Sequence, residues 1–184
     1  MTSREHNAGC MGAATAILAT QRLQLREVAL SDTAFLLRLL NDPTWLENIG
    51  DRGVRSEADA ERYIRDKIRA SYQALGFGLY AVQMGSAAQP IGICGLVKRD
   101  FLSAPDLGVA LLPEFAGQGY ASEAARAVML HAQRKLGIER LYALVQHGNH
   151  RSVRLLERLG FRRDGPRSTA PGVEVELYVT QLRA

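Results

Sequence analysis

The sequence contains very little cysteine, since only Cys10 and Cys94 occur among 184 residues. Two cysteines so far apart match neither a metal-ligand spacing nor a disulfide framework. Cys94 lies in an apolar stretch and is predicted to be a buried core residue. No apolar run reaches the ~18–20 residues that a membrane-spanning helix needs. These shortages argue against a disulfide-rich module, a cysteine-based metal site and a membrane protein, and they favour a location in the cytoplasm.

Charge of one sign is not in large excess either. The chain has 23 Lys and Arg against 19 Asp and Glu, which gives a formal net charge of +4. This balance suits a polyanionic ligand or an acidic partner, but it is too modest to indicate direct nucleic-acid binding. The apolar content of 47% is typical of a globular protein.

The chain shows no internal repeat and no linker, and its length suits one domain. Residues 1–20 are predicted to form a flexible N-terminal extension, with a packed arm as the alternative, and residues 21–184 form the predicted domain. The apolar segment 13–19 is too short for the centre of a signal peptide, and Glu5 offsets Arg4, the only basic residue before it.

One stretch of the chain joins a strand pattern to a helix pattern through a glycine turn. Residues 107–112 form an apolar run of strand length, and Gly117 and Gly119 follow in the turn. Apolar residues then recur at helical spacing as far as Leu136. Backbone N–H groups converge in such a turn, and the helix start adds unpaired N–H groups and the positive end of its dipole. The stretch is therefore predicted to seat a phosphate or pyrophosphate.

Two well-known phosphate-binding patterns fit this turn poorly. A P-loop requires Lys directly after its last glycine, but Tyr120 follows Gly119. A dinucleotide-binding turn is similar to Gly117-x-Gly119-x-x-Ser122, yet it follows the first strand of its domain directly, whereas residues 113–116 intervene here. A plain helix-entry turn without a ligand is the remaining alternative when the turn is considered alone.

A third pattern fits better, because a second segment supports it. The turn reads Glu114-x-x-Gly117-x-Gly119, and residues 149–161 read Asn-His-Arg-Ser-Val-Arg-Leu-Leu-Glu-Arg-Leu-Gly-Phe. Both resemble motifs of the GNAT superfamily of acyl-CoA N-acyltransferases: Gln/Arg-x-x-Gly-x-Gly/Ala, then Asn-x-x-Ser-x-(Arg)-x-x-Glu-Lys-x-Gly-Phe. Glu114 replaces the Gln or Arg. The particular residues of the two motifs resemble the RimJ/RimL-like branch of this superfamily. That branch includes enzymes that acetylate the N-terminal amine of ribosomal proteins. The resemblance extends over residues 21–165.

The resemblance implies an α+β GNAT fold. Its core is a central mixed, mostly antiparallel sheet of six to seven strands, flanked by about four helices, with a splay between the two central parallel strands. These two strands correspond to residues 106–112 and 141–145, which a helix joins. Loops are predicted at residues 44–55 and 163–172, where polar residues, glycine and proline gather.

The resemblance also implies acetyl-CoA as co-substrate and no metal. The pyrophosphate would bind the backbone N–H groups of the turn, and the pantetheine arm would pair with the strand end and the second motif. For Asn149, a plain helix N-cap is the alternative, and the two roles are compatible. The predicted cofactor-binding residues are Leu111, Leu112, Gly117, Gln118, Gly119, Tyr120, Ala121, Ser122, Asn149 and Ser152.

Two residues are the candidates for proton transfer. Asp106, at the start of the central strand, is the candidate base, with an exposed strand-start carboxylate as the alternative. Ser152 is the candidate acid, because Leu156 occupies the position where many GNAT enzymes have the Tyr that protonates the departing thiolate. Tyr120, Tyr142 and a water molecule are alternatives for that acid.

The acceptor is expected to lie against the two predicted loops, since loops on a scaffold often carry specificity. Trp45 and Asn48 are the candidate substrate-binding residues, and core packing is the alternative for Trp45. The predicted function is N-acetylation of a primary amine, on a protein N-terminus or a small molecule, by direct attack in a ternary complex. A non-catalytic acyl-CoA-binding sensor is the alternative. No membrane or nucleic-acid partner is expected, and a homodimer is left open.

Overall fold

The computed structural model describes residues 16–85 and 89–182, and a single sheet runs through this part of the chain. The order of its strands is β1-β2-β3-β4-β5-β6-β8-β7. The strands are β1 (Ala16–Ala19), β2 (Leu23–Arg26), β3 (Leu79–Met84), β4 (Pro90–Val97), β5 (Asp106–Leu111), β6 (Arg140–Val145), β7 (Arg162–Ala170) and β8 (Val173–Gln181).

Helices cover both faces of the sheet. A turn of π-helix, Ile64–Arg69, joins α3 to α4 without a break, so the two form one continuous helical stretch. The helices are α1 (Thr33–Leu40), α2 (Pro43–Asn48), α3 (Glu57–Tyr63), α4 (Ala70–Leu75), α5 (Tyr120–Leu136) and α6 (His150–Arg158).

The central strands β5 and β6 are the one parallel pair among the described strands, because α5 returns the chain to the same end of the sheet. Only Asp106 and Tyr142 are paired between them, next to a hydrogen bond of 3.0 Å from the Tyr142 N–H to the Pro105 carbonyl. Beyond this pair the two strands separate. The α+β GNAT architecture and the splay predicted from the sequence are therefore confirmed.

The sheet separates two hydrophobic cores. Side chains alternate between the faces along β5, so Leu107 and Val109 pack on the side of α5 and α6, whereas Ala110 packs on the side of α1 to α4. On β6, Leu141 and Ala143 also pack against the α5 side. Asp106 and Tyr142 are direct neighbours of these residues along their strands, so their side chains point to the other face. Both therefore face the side that α1 to α4 cover.

The sheet has more strands than predicted. Residues 16–19, which fall in the predicted extension, pair antiparallel with β2 as an edge strand. Residues 1–15 of that extension lie outside the described residues. The prediction of a loop at 163–172 was wrong, since β7 occupies most of it. Gly165 sits at a register shift, and Pro166 is tolerated because β7 is an edge strand.

The prediction of a loop at 44–55 was also wrong in its first half. Pro43 begins α2 as its first residue, and the Asp42 side chain accepts a hydrogen bond of 2.9 Å from the Thr44 N–H. Asp before Pro is a favourable helix start, so the same residues that end α1 also open α2. At the start of α3, Ser56 and Asp59 form a capping box.

Within the described residues, no helix is both long and apolar enough to cross a membrane. The location in the cytoplasm stays a prediction.

One buried ion pair ties the start of the sheet to the segment before α1. Both terminal nitrogens of Arg26 donate to the Asp32 carboxylate, at 2.7 and 2.8 Å, and the two residues are 8% and 5% exposed. The Ala29 N–H donates to the same carboxylate, and Arg26 Nε donates to the Gln83 side chain on β3. The carboxylate of Asp32 therefore serves this pair, and it makes no capping hydrogen bond to α1.

Arg26→Met is expected to destabilise the fold by about 3–5 kcal/mol, because it leaves the Asp32 carboxylate buried without its countercharge. Urea unfolding of both proteins measures the difference. The control is Arg65→Met, which removes an exposed partner of Glu61 and should change stability by no more than about 0.5 kcal/mol. Equal effects of the two substitutions would contradict the importance of the buried pair.

Candidate active site

The turn before α5 has the backbone geometry of an anion seat. Gly117 and Gly119 have φ angles of +79° and +84°, a region that side chains with a β-carbon disfavour. Gly119 is the N-cap of α5 and has no side chain with which to cap it. The Glu123 N–H donates to the Gly119 carbonyl and closes the first turn, so the N–H groups before it have no partner within the helix.

Three other helices among the described residues are capped by a side chain at their N-terminus. Asp42 caps α2, Ser56 caps α3 and Asn149 caps α6. The 17-residue α5 has the exposed N-terminus that such a cap would otherwise occupy. Its unpaired N–H groups and the positive end of its dipole together suit a negatively charged ligand.

Arg22, just before β2, braces this turn. Its Nη1 donates to the Gln118 carbonyl at 3.0 Å, and its Nε donates to the Glu123 carboxylate at 2.6 Å. The guanidinium carbon lies 4.5 Å from the centre of the Tyr120 ring, within the range of a cation–π contact. Arg22 thus fixes a carbonyl inside the turn and the first helical turn at once.

The Glu123 carboxylate is the common anchor of this brace. It accepts hydrogen bonds from the Thr20 hydroxyl and from both the backbone and the side chain of Arg22. Partial burial raises the pKa of Glu123, but these hydrogen bonds outweigh it and lower the pKa below its usual value. Glu123 therefore stays ionised at the N-terminus of α5, where a negative charge is favourable.

Glu114 occupies the position where the GNAT motif has Gln or Arg. Arg38 of α1 donates to its carboxylate at 2.7 Å, and the Gln118 side chain donates to its backbone carbonyl at 3.1 Å. Its own backbone N–H and then Arg38 hold the pKa of Glu114 below the usual range. The arginine countercharge reduces the repulsion that Glu114 would exert on an anion at the turn.

The strand end beside the splay offers one backbone donor, at Leu111. The Leu112 N–H donates to the Ile91 carbonyl of β4 at 2.9 Å and is already used. Successive N–H groups of a strand point to opposite edges, so the Leu111 N–H is directed away from β4, into the gap toward β6. Of the two predicted donors, Leu111 is therefore the one that faces the gap.

A buried carboxylate lies where the gap begins. Asp106 is 3% exposed and accepts a hydrogen bond of 2.8 Å from Arg99 Nε. Burial raises the pKa of Asp106, and the charge and hydrogen bond of Arg99 offset part of that rise. The alternative of an exposed strand-start carboxylate is wrong, and a raised pKa is typical of a carboxylate that works as a base.

Tyr142 is the residue paired with Asp106 across the two central strands. Its hydroxyl lies 3.1 Å from the Ser103 hydroxyl, and this hydrogen bond is the main cause that lowers the pKa of Tyr142. Because Tyr142 and Asp106 are paired and share one face of the sheet, the phenol is placed to act as a proton donor at the same site. In the sequence, Tyr142 was one of several candidates for the proton donor. Its position opposite Asp106 in the sheet distinguishes it from the others.

The second motif lies at the opening of the gap. The Asn149 side chain accepts a hydrogen bond of 3.0 Å from the Ser152 N–H, so its alternative role as helix cap is confirmed. Ser152 is half-buried in the first turn of α6, and its cofactor and acid roles stay predictions. Leu156 is 4% exposed and packs in the core, and Tyr120 is likewise buried beneath Arg22.

The side chains of the two candidate acceptor-binding residues, both in α2, already make hydrogen bonds to backbone carbonyls. Trp45 is 6% exposed, packs into the core on the α1 side, and donates from Nε1 to the Gly50 carbonyl at 3.0 Å. Asn48 donates from its side chain to the Thr44 carbonyl at 2.9 Å. The packing alternative for Trp45 therefore agrees with the structure, and contact of either residue with an acceptor stays a prediction.

Sequence reasoning missed Arg22 and Arg99. The Arg22–Glu123 contact joins residues 101 positions apart, and no local pattern indicates it. The signal for Arg99 was weak but present, because a basic residue lies in the short loop before the candidate base.

Comparison with known proteins agrees with this geometry. The family model described as acetyltransferase (GNAT) domain matches residues 22–162. An uncharacterised N-acetyltransferase, p20, of Bacillus licheniformis is 29% identical over 172 residues, which cover 90% of this chain and 94% of the relative. An uncharacterised N-acetyltransferase, YnaD, of Bacillus subtilis is 25% identical over 148 residues, covering 80% and 84%.

Solved structures share the fold. An acetyltransferase from Agrobacterium tumefaciens superposes with a TM-score of 0.77 at 24% identity, over 97% of this chain and 99% of that one. RimL, described as a ribosomal L7/L12 α-N-protein acetyltransferase, was solved in complex with coenzyme A. It superposes with a TM-score of 0.77 at 21% identity, over 91% of this chain and 98% of that one. From the splay, the uncapped α5 and the family match over most of its length, the chain belongs to the GNAT acetyltransferase family.

Proposed function

We propose that the protein transfers an acetyl group from acetyl-CoA to a primary amine, on a protein N-terminus or a small molecule, by direct attack in a ternary complex. The observation that carries this proposal is the uncapped N-terminus of α5, which the glycine turn connects to β5, the strand beside the gap. Relatives named as N-acetyltransferases and a similar fold solved with coenzyme A support it.

The residues present fit acetyl-CoA. The pyrophosphate binds the N–H groups of the turn from Gly117 to Ser122, which no cap of the protein's own occupies. The pantetheine arm fills the gap and pairs with the edge of β5 near Leu111. Asn149 and Ser152 contact the arm from the opposite side. When bound, acetyl-CoA supplies the activated thioester.

The reaction forms a C–N bond and breaks the C–S bond, so a proton must leave the amine and one must reach the thiolate. Asp106 takes the amine proton, directly or through a water molecule. Tyr142 gives a proton to the thiolate. It takes the role of the Tyr that many GNAT enzymes have at the position of Leu156, and Ser152 is the alternative donor.

The acceptor approaches from the face that α1 to α4 cover, because Asp106 and Tyr142 both face that side. Trp45 packs in the core beneath these helices and supports them. Asn48, at the end of α2, is the proposed contact with the acceptor.

A non-catalytic acyl-CoA sensor is the second candidate. It is favoured by one observation: a buried Leu156 stands where many family members have their proton donor. A sensor would bind acetyl-CoA without consuming it.

Release of free thiol from acetyl-CoA, measured against a panel of peptides and small amines, is expected with at least one class of acceptor. At about 100 times its Kd, acetyl-CoA should also stabilise the fold by about 2.7 kcal/mol. Binding with no turnover by any amine would favour the sensor, and absence of binding would contradict both candidates.

Asn149→Ala is expected to reduce the stabilisation by acetyl-CoA, measured against the variant's own baseline. Since it also removes a helix cap, it should lower baseline stability by about 1 kcal/mol. Asn149→Ser keeps a cap but shortens the side chain, so a reduced ligand effect in this variant isolates the contact with the arm. A full ligand effect in both variants would contradict that contact.

Arg22→Ala is expected to raise the KM for acetyl-CoA about tenfold, the equivalent of one lost charged hydrogen bond. The KM for S-acetyl-pantetheine should not change, because this donor lacks the pyrophosphate. A merely structural loss would impair both donors alike and would contradict a role at the anion seat. Arg62→Ala, on the exposed face of α3, is the matched control and should change neither KM.

Asp106→Asn is expected to lower kcat/KM, calculated on the concentration of neutral amine, by about 10²–10⁴-fold and to remove the acid limb of that pH profile. Only the ionised carboxylate accepts a proton, so activity falls as the pH drops through its pKa. Because burial raises the pKa of Asp106, the fall begins above the pH where an ordinary Asp protonates.

Arg99→Gln removes a group that lowers this pKa and should move the acid limb further upward. Asp66→Asn, an exposed change on the helical stretch, should leave the profile unaltered. An acid limb that persists in Asp106→Asn would assign the base to another group.

A further inference from the structure

Arg99 presents an anchored guanidinium beside the candidate base. Its Nε is fixed by the hydrogen bond to Asp106, and the side chain is 31% exposed. Its terminal nitrogens make no hydrogen bond to any residue within 16–85 or 89–182. Arginine carries five N–H donors in a rigid plane, and the terminal four match the two oxygens of a carboxylate. Arg99 is thus held in place and still able to bind an anion.

A second guanidinium lies near the same place. Arg52, between α2 and α3, and Arg99, between β4 and β5, both act electrostatically on the half-buried Tyr63 of α3. Arg52 makes no ion pair within the described part of the chain, whereas its neighbour Arg55 is bound by Asp51. Arg52 therefore adds a positive charge on the side of the site where Tyr63 lies.

The charge balance restricts what the site can accept. Asp106 and Arg99 neutralise each other, so Arg52 leaves the surroundings of the candidate base positive. An amine is itself mostly protonated near neutral pH, and two like charges in a partly buried site repel each other. An acceptor that also carries an anion would be attracted instead.

We propose that Arg99 is a specificity-determining residue, and that its free terminal nitrogens bind a carboxylate of the acceptor while Asp106 receives the amine proton. The substrate class is then a primary amine that carries a carboxylate. This inference rests on the proposed acetyl transfer. The same chemistry is offered by a free amino acid-like molecule and by an acidic peptide N-terminus.

The test compares matched acceptors that differ only in the anion. One arm uses peptides with Glu or Gln at the second residue, and the other uses ω-amino acids and their primary amides. In the wild type, the carboxylate member of at least one arm should show a kcat/KM about tenfold or more higher, as expected for a charged bidentate contact. The arm with the larger ratio identifies the source of the amine.

Arg99→Gln should reduce this ratio to near one. Because any effect on Asp106 acts on both members of a pair, it cancels in the ratio. Arg99→Lys, which keeps a charge but not the planar fork, should retain part of the preference. Arg65→Gln removes a distant charge and should leave the ratio unchanged.

Binding gives a readout that does not depend on turnover. The acetylated acid, added alone, should raise the melting temperature of the wild type more than the acetylated amide does, and Arg99→Gln should abolish the difference. Turnover of acids and amides at equal rates in the wild type would overturn the inference while leaving acetyl transfer intact. A preference that survives Arg99→Gln would overturn the assignment to Arg99.

Discussion

The separation of β5 from β6 after a single residue pair is the constraint on which the site depends. Between the C-terminal parts of the two strands, next to the glycine turn, the hydrogen bonds of a continuous sheet are not formed. Unpaired backbone groups are costly unless something else satisfies them. An extended, amide-bearing ligand satisfies them in the way a further strand would. Asp106 and Tyr142 lie at the base of this gap, where the two strands are still paired.

The parts of this arrangement that were predictable from sequence are those with a local cause. The glycine turn was predictable because Gly117 and Gly119 take φ angles that few other residues adopt, and α5 because its apolar residues recur at helical spacing. The splay itself came from family resemblance, since no periodicity encodes the distance between two strands. Proline lies in regular structure at both places: Pro43 opens α2 just before the first predicted loop, and Pro166 lies in an edge strand within the second.

The rest depends on contacts between distant residues, which a pattern cannot reveal. Arg22 reaches the turn from the far edge of the sheet, and only the folded chain shows that its guanidinium and the Tyr120 ring are in contact. Burial of Trp45 and Asp106 is likewise a property of the packed elements. For Trp45, the sequence left contact with substrate and core packing both open, and the structure shows that the core under α1 and α2 encloses it. Asp106 at a strand start suggested exposure, yet Arg99 covers it.

The brace between Thr20, Arg22 and Glu123 has a thermodynamic consequence for the edge of the sheet. Thr20 and Arg22 lie between β1 and β2, so the first turn of α5 is bonded to the segment that connects the two outermost strands. Edge strands open locally at a smaller free-energy cost than the core does. A ligand that orders the turn therefore also suppresses opening of this edge, and amide hydrogen exchange in β1 and β2 becomes a remote reporter of whether the turn is occupied.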